Sequence, residues 1–355
     1  PFPSMTIYVA NTEMKAYVES KLGAHALTYT KVIVPNTVST STELQTALNN
    51  VSEGEVIVLS DNFTFTEGAN GTTNGISVTG AENFVLDLNG NTVTSDLGGN
   101  ALRFKIGEGN GITNQNVTVT IKNGKVVSGA NNWCAISATG ANGNKLTLNL
   151  EDIEIENNKS GDYAVKAWTG ATINAKNVNV TSNAGGSFYA VGGEIVLDGC
   201  SAVTTSGSAA YMAAALGISG KGKMTVNSGT YTATPSSANG QWVIYLMSSG
   251  GELVVNGGTF NGTVATNSTN HSLAYGLICA DTGAKVTLNG GTYNSNGAIL
   301  DMRNNTGGSP NPTALLAGGD YSNDPRVSGL YASNLITVAD GKTVAQGTNG
   351  RWTVE

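Results

Sequence analysis

The chain has 355 residues, of which 12% are charged and 47 are glycine, with a net charge of −7. Only 18 Lys and Arg are spread along it, which argues against a nucleic-acid partner, since neutralising phosphates takes clustered cations. No apolar run approaches the ~20 residues of a membrane span, Ala209 to Ile218 being the best candidate. Cys134, Cys200 and Cys279 lie far apart and read as buried free thiols.

Residues 1–38 read as an N-terminal attachment segment. Pro1 to Ser4 precede Met5, the expected native start. A start there, with no basic and apolar leader, favours a virion component over a secreted one. Thr6 to Ala10 suits a short strand. Asn11 or Thr12 then caps a helix that Gly23 should stop, with Met14, Tyr17, Val18 and Leu22 on one face. Ala24 to Val38, containing Pro35, reads as a connector.

Thr40 and Glu43 have capping-box spacing, so Ser41 to Asn50 is expected to be helical, with Leu44, Ala47, Leu48 and Val51 as its apolar stripe. Such a helix suits the open end of a solenoid. Glu55 to Leu59 and Phe63 to Phe65 follow as the first strands.

From there the chain repeats. Glycine-bearing turns lead into Val93, Val126, Tyr231, Phe260, Tyr293 and Tyr321, with weaker members at Ile153, Val178 and Ala202, at intervals of 24 to 33 residues. Period-2 alternation in Asn116 to Ile121 and Leu146 to Leu150 makes the repeat a stack of strands rather than of helices. The expected fold is all-β, a right-handed parallel β-helix of about nine to ten coils over residues 39–329. Residues 330–355, with Leu335 to Val338, Gly341 to Val344 and Arg351 to Val354, form its C-terminal cap.

The Asn256-Gly-Gly-Thr-Phe260 type of turn behind a capping helix resembles the pectate-lyase-like β-helix superfamily over residues 40–355. That resemblance implies a parallel β-helix and either a polysaccharide lyase or hydrolase, a phage tailspike or fibre, or a bacterial surface adhesin. The tail, with Asp324-Pro325 and Trp352 to Val354, is similar to the closing segments of β-helix surface proteins from gut bacteria and their phages. It implies a homotrimer as one assembly.

The chemistry of the enzymes in that group is thinly represented. Two histidines, His25 and His271, and four arginines, Arg103, Arg303, Arg326 and Arg351, match no catalytic motif of the group. Asp152, Glu154 and Glu156 should face outward from one strand, as a solvated face or as part of a calcium site. Asp301 and Arg303 are the best acid and base near a coil, or else a surface ion pair.

Trp133, Tyr163, Tyr189, Tyr211, Trp242 and Tyr275 each open a largely apolar run, at intervals of 22 to 33 residues. Either these rings form an internal ladder or they rise along one corner and stack on sugars. The second row, Tyr231, Phe260, Tyr293 and Tyr321, suits a core stack. The sequence therefore leads to an adhesive or structural rod on a virion or bacterial surface. No catalytic residue, metal or cofactor is called for. Its partners would be a cell-surface glycan and a capsid, tail or cell wall held through residues 1–38. The alternative is a polysaccharide lyase or glycoside hydrolase with acids drawn from separate coils.

Overall fold

The computed structural model describes residues 5–27, 30–69, 72–206, 214–235, 240–247, 250–265, 274–303, 310–329 and 333–355. At the N-terminus a strand, Met5–Tyr8, leads into helix α1, Thr12–Leu27, and a second strand, Thr30–Ile33, which pairs in parallel with the first. Asn11 Oδ1 accepts from the Met14 N–H at 2.8 Å and so caps the helix. Gly23 does not stop it: a glycine inside a helix costs only about 1 kcal/mol, and the helix runs on to Leu27. The expected apolar face is largely open, with Met14 48% and Tyr17 63% exposed. Nor is the stretch before Val38 a bare connector, since it holds Thr30–Ile33 and a further strand, Asn36–Val38.

The body is a parallel β-helix with three faces. Face 1 opens with Asn36–Val38 and Glu55–Leu59 and ends with Thr313–Leu316 and Ile336–Val338. Face 2 runs from Phe63–Phe65 to Gly319–Tyr321. Face 3 is a nine-stranded sheet from Ile76–Val78 to Ala298–Met302. Faces 1 and 2 are joined where Asn116–Ser128 and Lys145–Asn157, 13 residues each, run unbroken around the corner. There Asn123, Asp152 and Asn177 adopt φ of 57°, 53° and 54°, and Asn177 Nδ2 donates to Asp152 Oδ1 at 3.0 Å. Short polar side chains tolerate that left-handed geometry.

Asp152 therefore turns the corner, while Glu154 is exposed and Glu156 pairs with Lys125 at 3.0 Å. The residues that follow the corner stack in register: Val93, Val126, Ile155, Val180, Ala202, Tyr231, Phe260, Tyr293 and Tyr321. Ile155 and Val180 take the places expected for Ile153 and Val178, because each lies three positions after its corner residue, Asp152 or Asn177, as Val126 does after Asn123.

The last four members of that column form a ring stack inside the core. Centroids lie 5.3, 5.0 and 4.8 Å apart from Tyr231 through Phe260 and Tyr293 to Tyr321, and all four are fully buried. The Tyr231 and Tyr293 hydroxyls donate to Ser228 O and Gly290 O at 2.9 and 2.8 Å. This satisfies polar groups that would otherwise be costly in the core. Gly229 and Gly291, at φ of 123° and 100°, carry the chain past these hydroxyls.

Both ends carry covers. Helix α2, Ser41–Asn49, has the expected capping box: the Glu43 N–H donates to Thr40 Oγ1, and Glu43 Oε2 accepts from the Ser39 N–H at 2.7 Å. It buries Leu44 and Leu48 against the first coil, and its Gln45 amide meets both Ser77 N and Ser77 O at the edge of face 3. At the far end Trp352–Val354 pairs antiparallel with Gly319–Tyr321 and with Val344–Gln346. Arg351 ties that strand down by donating to Asp320 Oδ1 at 2.6 Å and Asn294 Oδ1 at 3.0 Å.

Candidate functional site

On face 3, Ile136, Val165 and Phe188 point inward in register, so Ser137, Lys166 and Tyr189 one position later point outward. Two positions beyond those, Thr139 and Trp168 also face out. In the strand before, Arg103 and Lys105 occupy the same two columns. Trp133 stands just ahead of the strand, its N–H donating to Gly99 O at 2.8 Å. Trp133 is 62% and Trp168 39% exposed, and both line an open cavity of ≈ 360 Å³ with Arg103, Lys105, Ser137, Thr139 and Lys166.

The cations of this shelf are held in place. Lys166 Nζ lies 2.6 Å from Asp162 and 6.0 Å from the Trp168 ring centroid. Arg103 and Lys105 both bind Glu108, and Arg103 also reaches Ser77 Oγ at 3.3 Å. Burial pushes the Glu108 carboxyl up, but the bonds from Lys105 and Arg103 outweigh it and hold the group below the usual carboxylate range. The shelf thus offers two indole planes, N–H donors held by ion pairs, and the hydroxyls of Ser137 and Thr139. That combination suits a ring with an apolar face and an oxygen-rich rim.

Among the described residues of the expected row, only Trp133 enters this shelf. Tyr163 and Tyr189 stack on each other, centroids 4.5 Å apart, and are 0% and 8% exposed. Trp242 packs on Tyr245 at 4.7 Å in a separate buried cluster with Cys279, and Tyr275 is also buried. Tyr211 and His271 lie outside the described residues, and the His25 side chain is not described. Trp168 was not singled out from the sequence. The available signal was its period-2 relation to Lys166 at the end of the Tyr163–Trp168 strand.

Asp301 and Arg303 are not a surface pair. They are 0% and 1% exposed and meet at 2.6 Å, with the Arg303 guanidinium over Trp242. The three cysteines are free and buried. No helix among the described residues is long and apolar enough to cross a membrane. The chain matches no family model, no curated protein and no solved structure.

Proposed function

We propose that this chain is an adhesive rod of the pectate-lyase-like β-helix type, carried on a virion or bacterial surface, which binds a glycan at the Trp133–Trp168 shelf. The observation that carries the reading is the pair of exposed indoles on neighbouring coils, ringed by pinned cations and hydroxyls. A stacked column holds such a shelf away from its anchor at little entropic cost. The N-terminal unit, with exposed Met5, Tyr8, Met14 and Tyr17, is the surface for attachment.

A glycan array followed by titration of tryptophan fluorescence tests this. Trp133→Ala and Trp168→Ala should each weaken binding of the selected oligosaccharide about tenfold, equivalent to ~1.4 kcal/mol. Unchanged affinity in both variants sinks the shelf. Release of reducing or unsaturated sugar ends would favour a polysaccharide lyase or hydrolase instead.

A further inference from the structure

The two ends of the column are covered unevenly. Among the described residues, Asn36–Val38 pairs only with Glu55–Leu59, and Ile336–Val338 only with Thr313–Leu316, so face 1 keeps an open strand edge at each end. Open edges normally invite another strand. We propose that copies of this chain stack head to tail, with Ile336–Val338 of one copy pairing in parallel with Asn36–Val38 of the next.

The hydrogen-bonding phase of the two edges matches. Val38 O accepts from Ser60 N at 2.9 Å, so Val38 and Asn36 turn their peptide groups into the column, and Thr37 presents its N–H and C=O outward. Ala339 N donates to Leu316 O at 2.9 Å, so Thr337 shares that side, and Ile336 and Val338 present their groups outward. In a parallel pair one residue bridges the two that flank its partner. With Thr37 opposite Thr337, its N–H meets Ile336 C=O and its C=O meets Val338 N–H. Val338 then continues the inward column of Leu316, meeting Val38 and Leu59 of the neighbour.

The steps of the two ends also match. At the N-terminal end face 1 begins one strand earlier than face 2, and at the C-terminal end face 2 extends one strand further, through Trp352–Val354 to Val344–Gln346. Face 3 stops short, at the Leu300–Ser328 bridge, which leaves two strand positions at the junction. Two spacings of ~4.8 Å equal the ~10 Å diameter of a helix, and α2 of the neighbour stands at that height. An open cavity of ≈ 420 Å³ is lined by both α2 and Asn36–Val38, and Asn36 and Thr37 on that edge are exposed. The half-buried Leu335, Ile336, Val338 and Val344 at the other end would be covered. Such a heterologous contact does not close on itself and gives a filament.

Sedimentation velocity over a concentration series, with negative-stain electron microscopy, tests this on the full chain. Unbranched rods should lengthen with concentration, with an axial repeat of about 58 Å, twelve strand spacings. Thr37→Lys with Thr337→Lys places like charges across each junction and should raise the half-assembly concentration tenfold or more. Thr37→Lys with Thr337→Glu should restore assembly, which separates a junction effect from misfolding. Single columns at every concentration, side-by-side bundles, unchanged assembly of the double-lysine chain, or failure of the lysine–glutamate chain to assemble would each overturn the proposal.

Discussion

Arg303 donates from Nε to Asp301 Oδ2 at 2.7 Å inside the wall of face 3, with both residues closed off from water. Attraction in such a place does little more than offset the cost of desolvating two charges. Asp301→Ala should therefore destabilise the column by about 3 to 5 kcal/mol, because it leaves a buried cation without its carboxylate. Replacing both, Asp301→Leu with Arg303→Met, should recover most of that loss. Urea unfolding of the three chains measures the difference, and equal losses in the single and double variants would contradict it.

Tyr293 is sandwiched between Phe260 and Tyr321. Tyr293→Ala removes ring contacts on both sides and should cost about 3 to 5 kcal/mol. Tyr293→Phe keeps the stack and loses only the bond to Gly290 O, about 1 kcal/mol. Denaturant midpoints of the two variants should differ accordingly.

Burial pushes the Cys134 thiol up to about 12 and raises Cys200 and Cys279 as well. Thiolate is the reactive form. The native chain should leave all three thiols unlabelled by a thiol-reactive dye at pH 8, and the urea-unfolded chain should label at all three. Rapid labelling of any cysteine without denaturant would contradict this burial.

Arg326 forks onto Asp324, with Nε to Oδ1 at 2.9 Å and Nη2 to Oδ2 at 2.7 Å, and it lies over Trp352, 5.4 Å from the ring centroid. The bond from Arg326 holds the Asp324 carboxyl below its ordinary value. Because the folded value is the lower one, the pair contributes fully above the ordinary Asp value near ~3.9, and that contribution is lost below it, as pH falls through the lowered folded value. The Trp352 indole N–H resonance should shift in that acid window, and Asp324→Asn should abolish the shift. A Trp352 signal that moves identically in the variant would rule out this coupling.

Much of the column was legible because its turns are. Asn256-Gly-Gly-Thr-Phe260 and its relatives announce a positive-φ residue followed by an inward side chain, and the structure keeps Tyr231, Phe260, Tyr293 and Tyr321 in one register. The corner at Asp152 was harder, since an aspartate without a following glycine seldom signals a left-handed residue. The outward row was harder still. Tyr163 opens an apolar run as Trp133 does, yet its ring lies along the wall over Gly186 and Gly217, where a side-chain carbon would collide with it. Only the glycines of two later coils disclose that, so the fate of one aromatic is written some 23 and 54 residues away.

The ring stack occupies only the later coils, while in the earlier ones the same column, headed by Phe63, is filled by Val93, Val126, Ile155, Val180 and Ala202. Neighbouring coils hold one another by local contacts, so the grip between them is graded along the axis. Under tension applied at the two chain ends, coils should peel away singly from the aliphatic half, and the aromatic half should act as a brake. A shear load would then be absorbed in small reversible extensions well before the closing hairpin is torn off.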